Sequence, residues 1–457
     1  MRRGGVTRYL VGIVLAASGF MLSLPFVASD SASGQVPAAQ REVSVVDYVP
    51  GGVTPDGSHL QLALNDAPRV FVPAGLTLVV TDEISVPSGR TLLIDGTLTA
   101  APSRPANWAM LRVAAKSDIL IAGLGTLDAN KAAQTLDGDG LTNFYGVWVS
   151  GTAARVTVSD LLLKDFRSGV NSPADGKWRD DCRAERLRVT GGYIGLSLVS
   201  WRNGRVIEPN VSGARHVGVS LYNAAGAQLH GGTVANIGYK STASAGVYAG
   251  IAPDAVIDGV TIHDVEGHGI RLDNKSHRII VSNNRISNVG WLNGVITHGA
   301  SSGVAAWVGS AGGESYGVVI RGNVLRTIAG YGVIVHPGLT ARVTDNDLDG
   351  IGDPGISVLG SQVTVAGNRI ANADGYGVSI GPDPDGGPYQ VALAIVTGNL
   401  ITNSGLAGIM ANGSPAAGVI SGNVLSGNGA GIVVQTWVWG SQTFVPTPLV
   451  TDNVVVP

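Results

Sequence analysis

EGHGIRLDNKSHRIIVSNNRISNVG, residues 266–290, sets two histidines, an arginine and an aspartate around one glycine and follows them with an asparagine pair. Such a stretch is either a catalytic constellation or one turn of a scaffold that repeats. Aligned on Gly269, the pattern returns at Gly146, Gly169, Gly195, Gly218, Gly246, Gly303, Gly332, Gly355, Gly377, Gly408 and Gly431, twelve copies in all. Five of the intervals are 23 residues and one is 22, while the others are longer, as when insertions lengthen single loops of a solenoid. The second and fourth residues of each copy are mostly Val, Ile, Leu or Ala, a period-two alternation that points them inward.

A second register supports the first. Asn284, Asn323, Asn346, Asn368, Asn399 and Asn423 each stand two residues before Ile or Leu. Stacked in equivalent positions, such asparagines hydrogen-bond one another and the turn backbone of adjacent coils, so this part of the opening stretch reads as scaffold. A period of about 23 residues suits three short strands joined by tight bends, each pairing in parallel with its counterpart one coil away. Parallel crossovers of this kind are right-handed. The predicted fold is all-β, a right-handed parallel β-helix of about twelve or more coils.

Through its Gly-Val/Ile-x-Val/Leu/Ala and Gly-Asn-x-Ile/Leu coils, over residues 146–457, the chain resembles the parallel β-helix proteins of the pectate-lyase-like superfamily. Upstream, VSVVDYVPGGVTPDGSHLQLALNDAPRVFVPAG (43–75) resembles the opening segment of that superfamily: a strand, a glycine turn, a short helix and a further strand. In that helix Leu60, Leu64 and Ala67 share one side, which suits a plug for the open apolar end of a coil stack. Residues 85–100 then read as the first coils and 101–145 as less regular. Residues 35–145 thus form a cap and first coils, and 146–457 the regular coils of one continuous domain from about residue 43.

Residues 1–34, with arginines at 2, 3 and 8 and an apolar run from Tyr9 to Ala28, read as a secretory signal, so the protein is expected to be secreted or periplasmic, with no membrane contact after signal cleavage. A formal charge of −3 at pH 7 gives no nucleic-acid footprint. Cys182 is the single cysteine, which excludes an intramolecular disulfide and a cysteine zinc site. The Asp-Gly turns DGDG (137–140) and DPDGG (383–387) lack EF-hand spacing. No cofactor is expected, calcium being the one ion these turns leave open.

Irregularity in a regular stack marks added function. From Asn346, Asn368 and Asn399 to the next repeat glycine is nine residues, but from Asn284 to Gly303 it is nineteen, and Gly232 to Gly246 spans fourteen. Both insertions leave the same edge, around the coil that begins at Gly246, and carry Tyr239, Lys240, Trp291 and His298. Between them the outward positions hold Tyr222, Tyr248, Arg271 with Asp273, Trp307 and His336, read as one column, where other coils hold Ser150, Ser197, Ser357, Ser379 and Asn412. Tyr and Trp faces suit sugar C–H surfaces, and Arg, Asp and His orient hydroxyls or carboxylates.

β-Elimination at a uronic acid needs a cation on the carboxylate, a base for the neighbouring proton and an acid for the leaving oxygen. Arg271 or Lys240 suits the first role, Tyr248 or His268 the second, His298 or a tyrosine the third, with Glu266 and Asp273 beside them. The plainer account makes Glu266 and Arg271 a surface ion pair and has His268 cap a turn. Hydrolysis would instead use two of Asp264, Glu266 and Asp273. Polygalacturonases carry paired aspartates and a Gly-His-Gly, but here Asp181 and Gly267 lie 86 residues apart, too far for one centre. The Asp-Pro-His type motif of mannuronan epimerases has no matching aspartate at 332–337, so no catalytic residue carries over from either family. The expected function is binding and cleavage or modification of an extracellular polysaccharide or oligosaccharide by elimination, as a lyase or epimerase, with uronate the class Arg271 points to. A glycoside hydrolase and a non-catalytic carbohydrate-binding β-helix are the alternatives.

Overall fold

The computed structural model describes residues 42–238, 244–273, 275–292, 295–296, 301–307, 316–360, 362–381, 391, 393–413, 417–439, 442–444 and 448–456. The expected signal at 1–34, the DPDGG turn, Tyr239, Lys240 and His298 lie outside them. Among the described residues the chain winds through three long parallel sheets of fourteen, eighteen and fifteen strands, one strand of each per regular coil. All twelve glycine repeats fall in or immediately before strands of the fourteen-stranded sheet, called here the first sheet. The inward residues form one continuous apolar core running from Val43 to Leu425.

The repeated glycine has a steric cause. At Gly246, Gly269 and Gly303 a Cβ would stand 2.5 Å from a methyl of Ile262, Ile286 and Leu325 respectively, side chains of the third sheet that fill the corner. It would also stand 2.6–2.8 Å from the carbonyl oxygen of the next repeat glycine. Gly218, Gly246, Gly269, Gly303 and Gly332 therefore stack in one line along the axis.

The asparagines form a buried ladder. Nδ2 of Asn284, Asn323, Asn346, Asn368 and Asn399 each donates to Oδ1 of the next asparagine at 2.9–3.0 Å, and to a strand carbonyl such as Ile257 O or Ile320 O. The ladder has a seventh rung, Asn453, which accepts from Asn423 Nδ2 at 2.8 Å.

The helix Gly57–Asp66 covers the N-terminal end of the stack with Leu60, Ala63 and Leu64, all fully buried. Asp56 caps it, accepting from the Ser58 and His59 backbone amides. The stack starts earlier than residue 85, because Glu42–Ser44 pairs with Arg69–Val72 and Thr77–Val80 with Thr97–Ala100. Nor is 101–145 irregular throughout: Ala109–Ala114, Ser117–Ala122 and Thr126–Asp128 make a complete coil. Its alternation was hidden because Met110 stands where other coils carry the repeat glycine. No described helix is long and apolar enough to cross a membrane.

Candidate functional site

The outer face of the first sheet carries two rows, not the single column read from the alternation. Backbone pairing aligns Ser220, Tyr248, Arg271, Ala305 and Ile334 in one row. It aligns Tyr222, Gly250 and Asp273 in the second. Trp307 and His336 continue the second row, their amides donating to Leu272 O and Ala306 O. Ser197, Ser357 and Ser379 belong to the first row, Asn412 to the second. Alternation along a strand tells which face a residue takes, not which of two lateral positions it occupies across coils.

Long side chains bridge the rows. The Tyr222 and Tyr248 rings stack with centroids 6.5 Å apart. The Arg271 guanidinium lies 6.0 Å from the Tyr248 ring centroid and 5.2 Å from that of Trp307, and its Nη2 is 3.0 Å from Asp273 Oδ2. Arg271 thus pairs with Asp273, not with Glu266. Beyond Trp307 the His336 ring follows at 4.3 Å, and His268 meets the Trp307 edge at 6.1 Å. The outward Ala305, Ile334 and Leu359 form a small buried apolar cluster with Trp307 and Tyr331 packed against it, so this end of the face is partly closed.

Glycines make room for the polar groups. Tyr248 folds over Gly250, where a Cβ would stand 2.5 Å from the phenol oxygen, and this brings the hydroxyl beside Asp273. Glu266 sits at the corner between the third and first sheets, with Gly238 and Gly290 at the same corner of the coils on either side. A Cβ on Gly238 would lie 2.5 Å from Glu266 Cβ. Both insertions leave the stack directly after these glycines. Trp291 opens a two-residue antiparallel pairing with Val295–Ile296 that rises from the second.

Glu266 and His268 are 1% and 3% exposed. Both Glu266 carboxylate oxygens, His268 Nδ1, Arg271 Nε, Trp291 Nε1 and Trp307 Nε1 are buried without a hydrogen-bond partner among the described residues. Such groups are costly to leave unmatched, and a polyhydroxylated ligand can match them. Burial first, then the charges of Arg271 and His336, hold His268 down to about 3, so the imidazole is neutral near neutrality. Burial, with the Asp273 carboxylate second, pushes the Tyr248 phenol up to about 12. A phenol raised this far keeps its proton near neutrality. His268 does not cap a turn; it opens the strand His268–Asp273.

The residues offered for hydrolysis stand apart. Asp264 is on the third sheet, 2.7 Å from the His263 ring, while Glu266 lies at the corner before the strand His268–Asp273 and Asp273 at its end. Asp180 pairs with Arg202 at 2.8 Å on the outer side of the second sheet. In the DGDG turn Asp137 is engaged by the Asp139 and Leu141 amides and by Arg167.

Sequence reasoning missed His216, Ser244 and Gly250. Burial, and then the Arg271 charge, lowers the His216 imidazole below its ordinary value. For two of them the available signal was a small residue, Gly250 two places after Tyr248 and Ser244 closing the first insertion.

The family described as the right-handed β-helix region matches residues 174–307 and 210–364, and the family of the periplasmic copper-binding protein NosD matches 295–442. No curated protein matches. Among solved structures, the A-module of mannuronan C-5 epimerase AlgE6 from Azotobacter vinelandii superposes with a TM-score of 0.53 at 16% identity, over 91% of this chain and 99% of that one. The tailspike protein of E. coli bacteriophage HK620, in complex with a hexasaccharide, gives 0.50 at 14% identity, over 86% and 78%. At these identities the likeness is one of fold. Among the described residues no group of three His, Cys, Asp or Glu gathers, and the one cysteine lies outside the NosD match.

Proposed function

We propose that this chain, a right-handed parallel β-helix protein, acts outside the cytoplasm on an acidic polysaccharide laid along the outer face of its first sheet. The observation that carries the reading is the Tyr248–Arg271–Trp307 sandwich beside the buried, unmatched polar atoms of Glu266 and His268. A guanidinium between two aromatic faces offers a carboxylate a fixed charge, and the flanking rings offer sugar C–H surfaces. The secretion-like N-terminus and the match to a periplasmic family support the location. The polysaccharide-related structures of the same fold make the substrate class reasonable.

The chemistry that fits is elimination or epimerisation at a uronate. With its carboxylate on Arg271, the C5 proton passes to neutral His268 and the electron pair of that bond forms the C4–C5 double bond. The C4–O bond breaks, and Tyr248 protonates the departing oxygen. In the epimerase variant the C5 carbanion instead regains a proton on its other face. Tyr222, Glu266, Trp291, Trp307 and His336 serve as binding groups. Lys240, Tyr239 and His298, which the two insertions carry, are assigned as a second cation, a binding group and a second acid.

Non-catalytic binding is the second reading, and one observation favours it: His268 at about 3 and Tyr248 at about 12 both titrate far from neutrality. Uronate-containing and neutral polysaccharides should be screened by ultraviolet absorbance of the unsaturated product and by new reducing ends. Absorbance growing with reducing ends on a uronate polymer, and abolished in Arg271→Ala, supports a lyase. Binding without either signal supports the binding reading, and reducing ends alone would overturn elimination.

A further inference from the structure

The corner that leads into the first sheet carries a second stack on the N-terminal side of the candidate site. Arg167, Tyr193 and His216 occupy it in successive coils, the Tyr193 amide donating to Arg167 O and the His216 amide to Tyr193 O. Their side chains follow the backbone. The Arg167 guanidinium lies 5.1 Å from the Tyr193 ring centroid, and the Tyr193 and His216 rings lie 5.0 Å apart at 22°. The next two residues of the corner are Ser244 and Gly267, so three large planar groups give way to two small, buried residues. Nothing larger fits at Gly267, where a Cβ would stand 2.2 Å from Ser244 O. Glu266 and His268 flank that glycine, and the stack ends where the candidate site begins.

Arg167 is set in place by the DGDG turn. Its Nη1 donates to Asp137 Oδ2 at 2.9 Å and to Asn143 Oδ1 at 3.0 Å. A guanidinium has five donors, more than that pair engages. The neighbouring Arg215 lies 3.6 Å from Asp139 of the same turn. Stacking occupies the ring faces of Tyr193 and His216, which leaves the phenol oxygen and the imidazole edge as contacts for a polar ligand. Beyond Tyr222 of the second row, the first row of the strand face along these coils offers only Asn171, Ser197 and Ser220, all buried. A chain ligand leaving Arg271 in this direction therefore meets the corner.

We infer that the ligand groove continues over Arg167, Tyr193 and His216, which read hydroxyls and carboxylates on successive units of the same polysaccharide, N-terminal-side of the unit held by Arg271. From Arg167 to Gly267 is four coil steps, roughly 19 Å, enough for several sugar units. The inference rests on the acidic-polysaccharide reading and adds the direction and extent of the bound chain.

Calorimetric titration with oligogalacturonates and oligomannuronates, each as disaccharide and hexasaccharide, tests it in the unsubstituted protein, Tyr193→Ala, Tyr193→Phe and Arg271→Ala. The expected result is a hexasaccharide that binds about tenfold more weakly to Tyr193→Ala, the loss of one or two hydrogen bonds, with disaccharide affinity unchanged. Tyr193→Phe keeps the stack and should show a smaller loss confined to the hexasaccharide. If hexasaccharide affinity falls in Arg271→Ala but not in Tyr193→Ala, the extension is wrong while the reading of the site stands. If Tyr193→Ala weakens both lengths equally, the corner is not a separate subsite and the inference is overturned. Binding of neither series by the unsubstituted protein overturns the acidic-polysaccharide reading and the extension with it.

Discussion

Arg271 reaches both rows of the outer face because the space around it is made by residues with little or no side chain. Gly250 is the clearest case, since a methyl there would meet the Tyr248 phenol at 2.5 Å. Gly250→Ala should therefore displace Tyr248 and weaken uronate binding by about tenfold, roughly 1.4 kcal/mol, with little change in melting temperature. Ligand titration beside thermal melts checks both halves. His268 gives a pH prediction. Its folded value of about 3 lies below the ordinary 6.5, so as pH falls the unfolded chain takes the proton first. Stability that is full above pH 6.5 is lost progressively towards pH 3. His268→Gln should flatten that acid dependence in urea titrations at several pH values; an unchanged slope would mean another group controls it. The residue types of the site were legible because aromatic and charged side chains cluster in a few coils where others carry Ser. Their partners were not, because the Arg271–Asp273 pair depends on rotamers, and Glu266 and His268 looked exposed until the corner glycines beside them buried them.

At the scale of the coil, the period of 23 residues made the fold readable, since a glycine that must pass under a third-sheet methyl returns once per turn. Gly269→Ala would set a Cβ 2.5 Å from Ile286 Cγ2 and 2.6 Å from Gly303 O, a contact only backbone movement relieves. A cost of about 1–3 kcal/mol is expected from overpacking, read as a lowered urea midpoint. Asn346 is 1% exposed, donates to Ile320 O and Asn368 Oδ1, and accepts from Asn323. Asn346→Ala should cost about 1–3 kcal/mol through the partners left unmatched, with any activity unchanged in the surviving folded protein. Unchanged melting with lost activity would contradict the scaffold role. Asn453 escaped the sequence pattern because Val455, not Ile or Leu, stands two places on. The coil at 109–128 escaped it because it lacks the glycine. Assignment to two rows needed the backbone register that pairs Gly250 with Asp273.

Across the whole molecule one apolar core extends beneath three sheets, and the helix Gly57–Asp66 closes its N-terminal end. Leu64→Asp would bury a carboxylate against that end, so broad, non-cooperative melting and aggregation are expected by scattering and calorimetry. Length gives the function its form: coils spaced about 4.8 Å apart turn a row of side chains into a track for an extended ligand. The two insertions leave the stack after Gly238 and Gly290, at the Glu266 corner, and the Arg167–Tyr193–His216 stack approaches the track from the N-terminal side. The most direct test of this account is a crystal structure of the protein with a uronate hexasaccharide. The account predicts sugar density along the outer face of the first sheet, with one carboxylate within hydrogen-bond distance of the Arg271 guanidinium and rings against Tyr248 and Trp307. Ordered sugar on another sheet, or on this face with no carboxylate at Arg271, would contradict it.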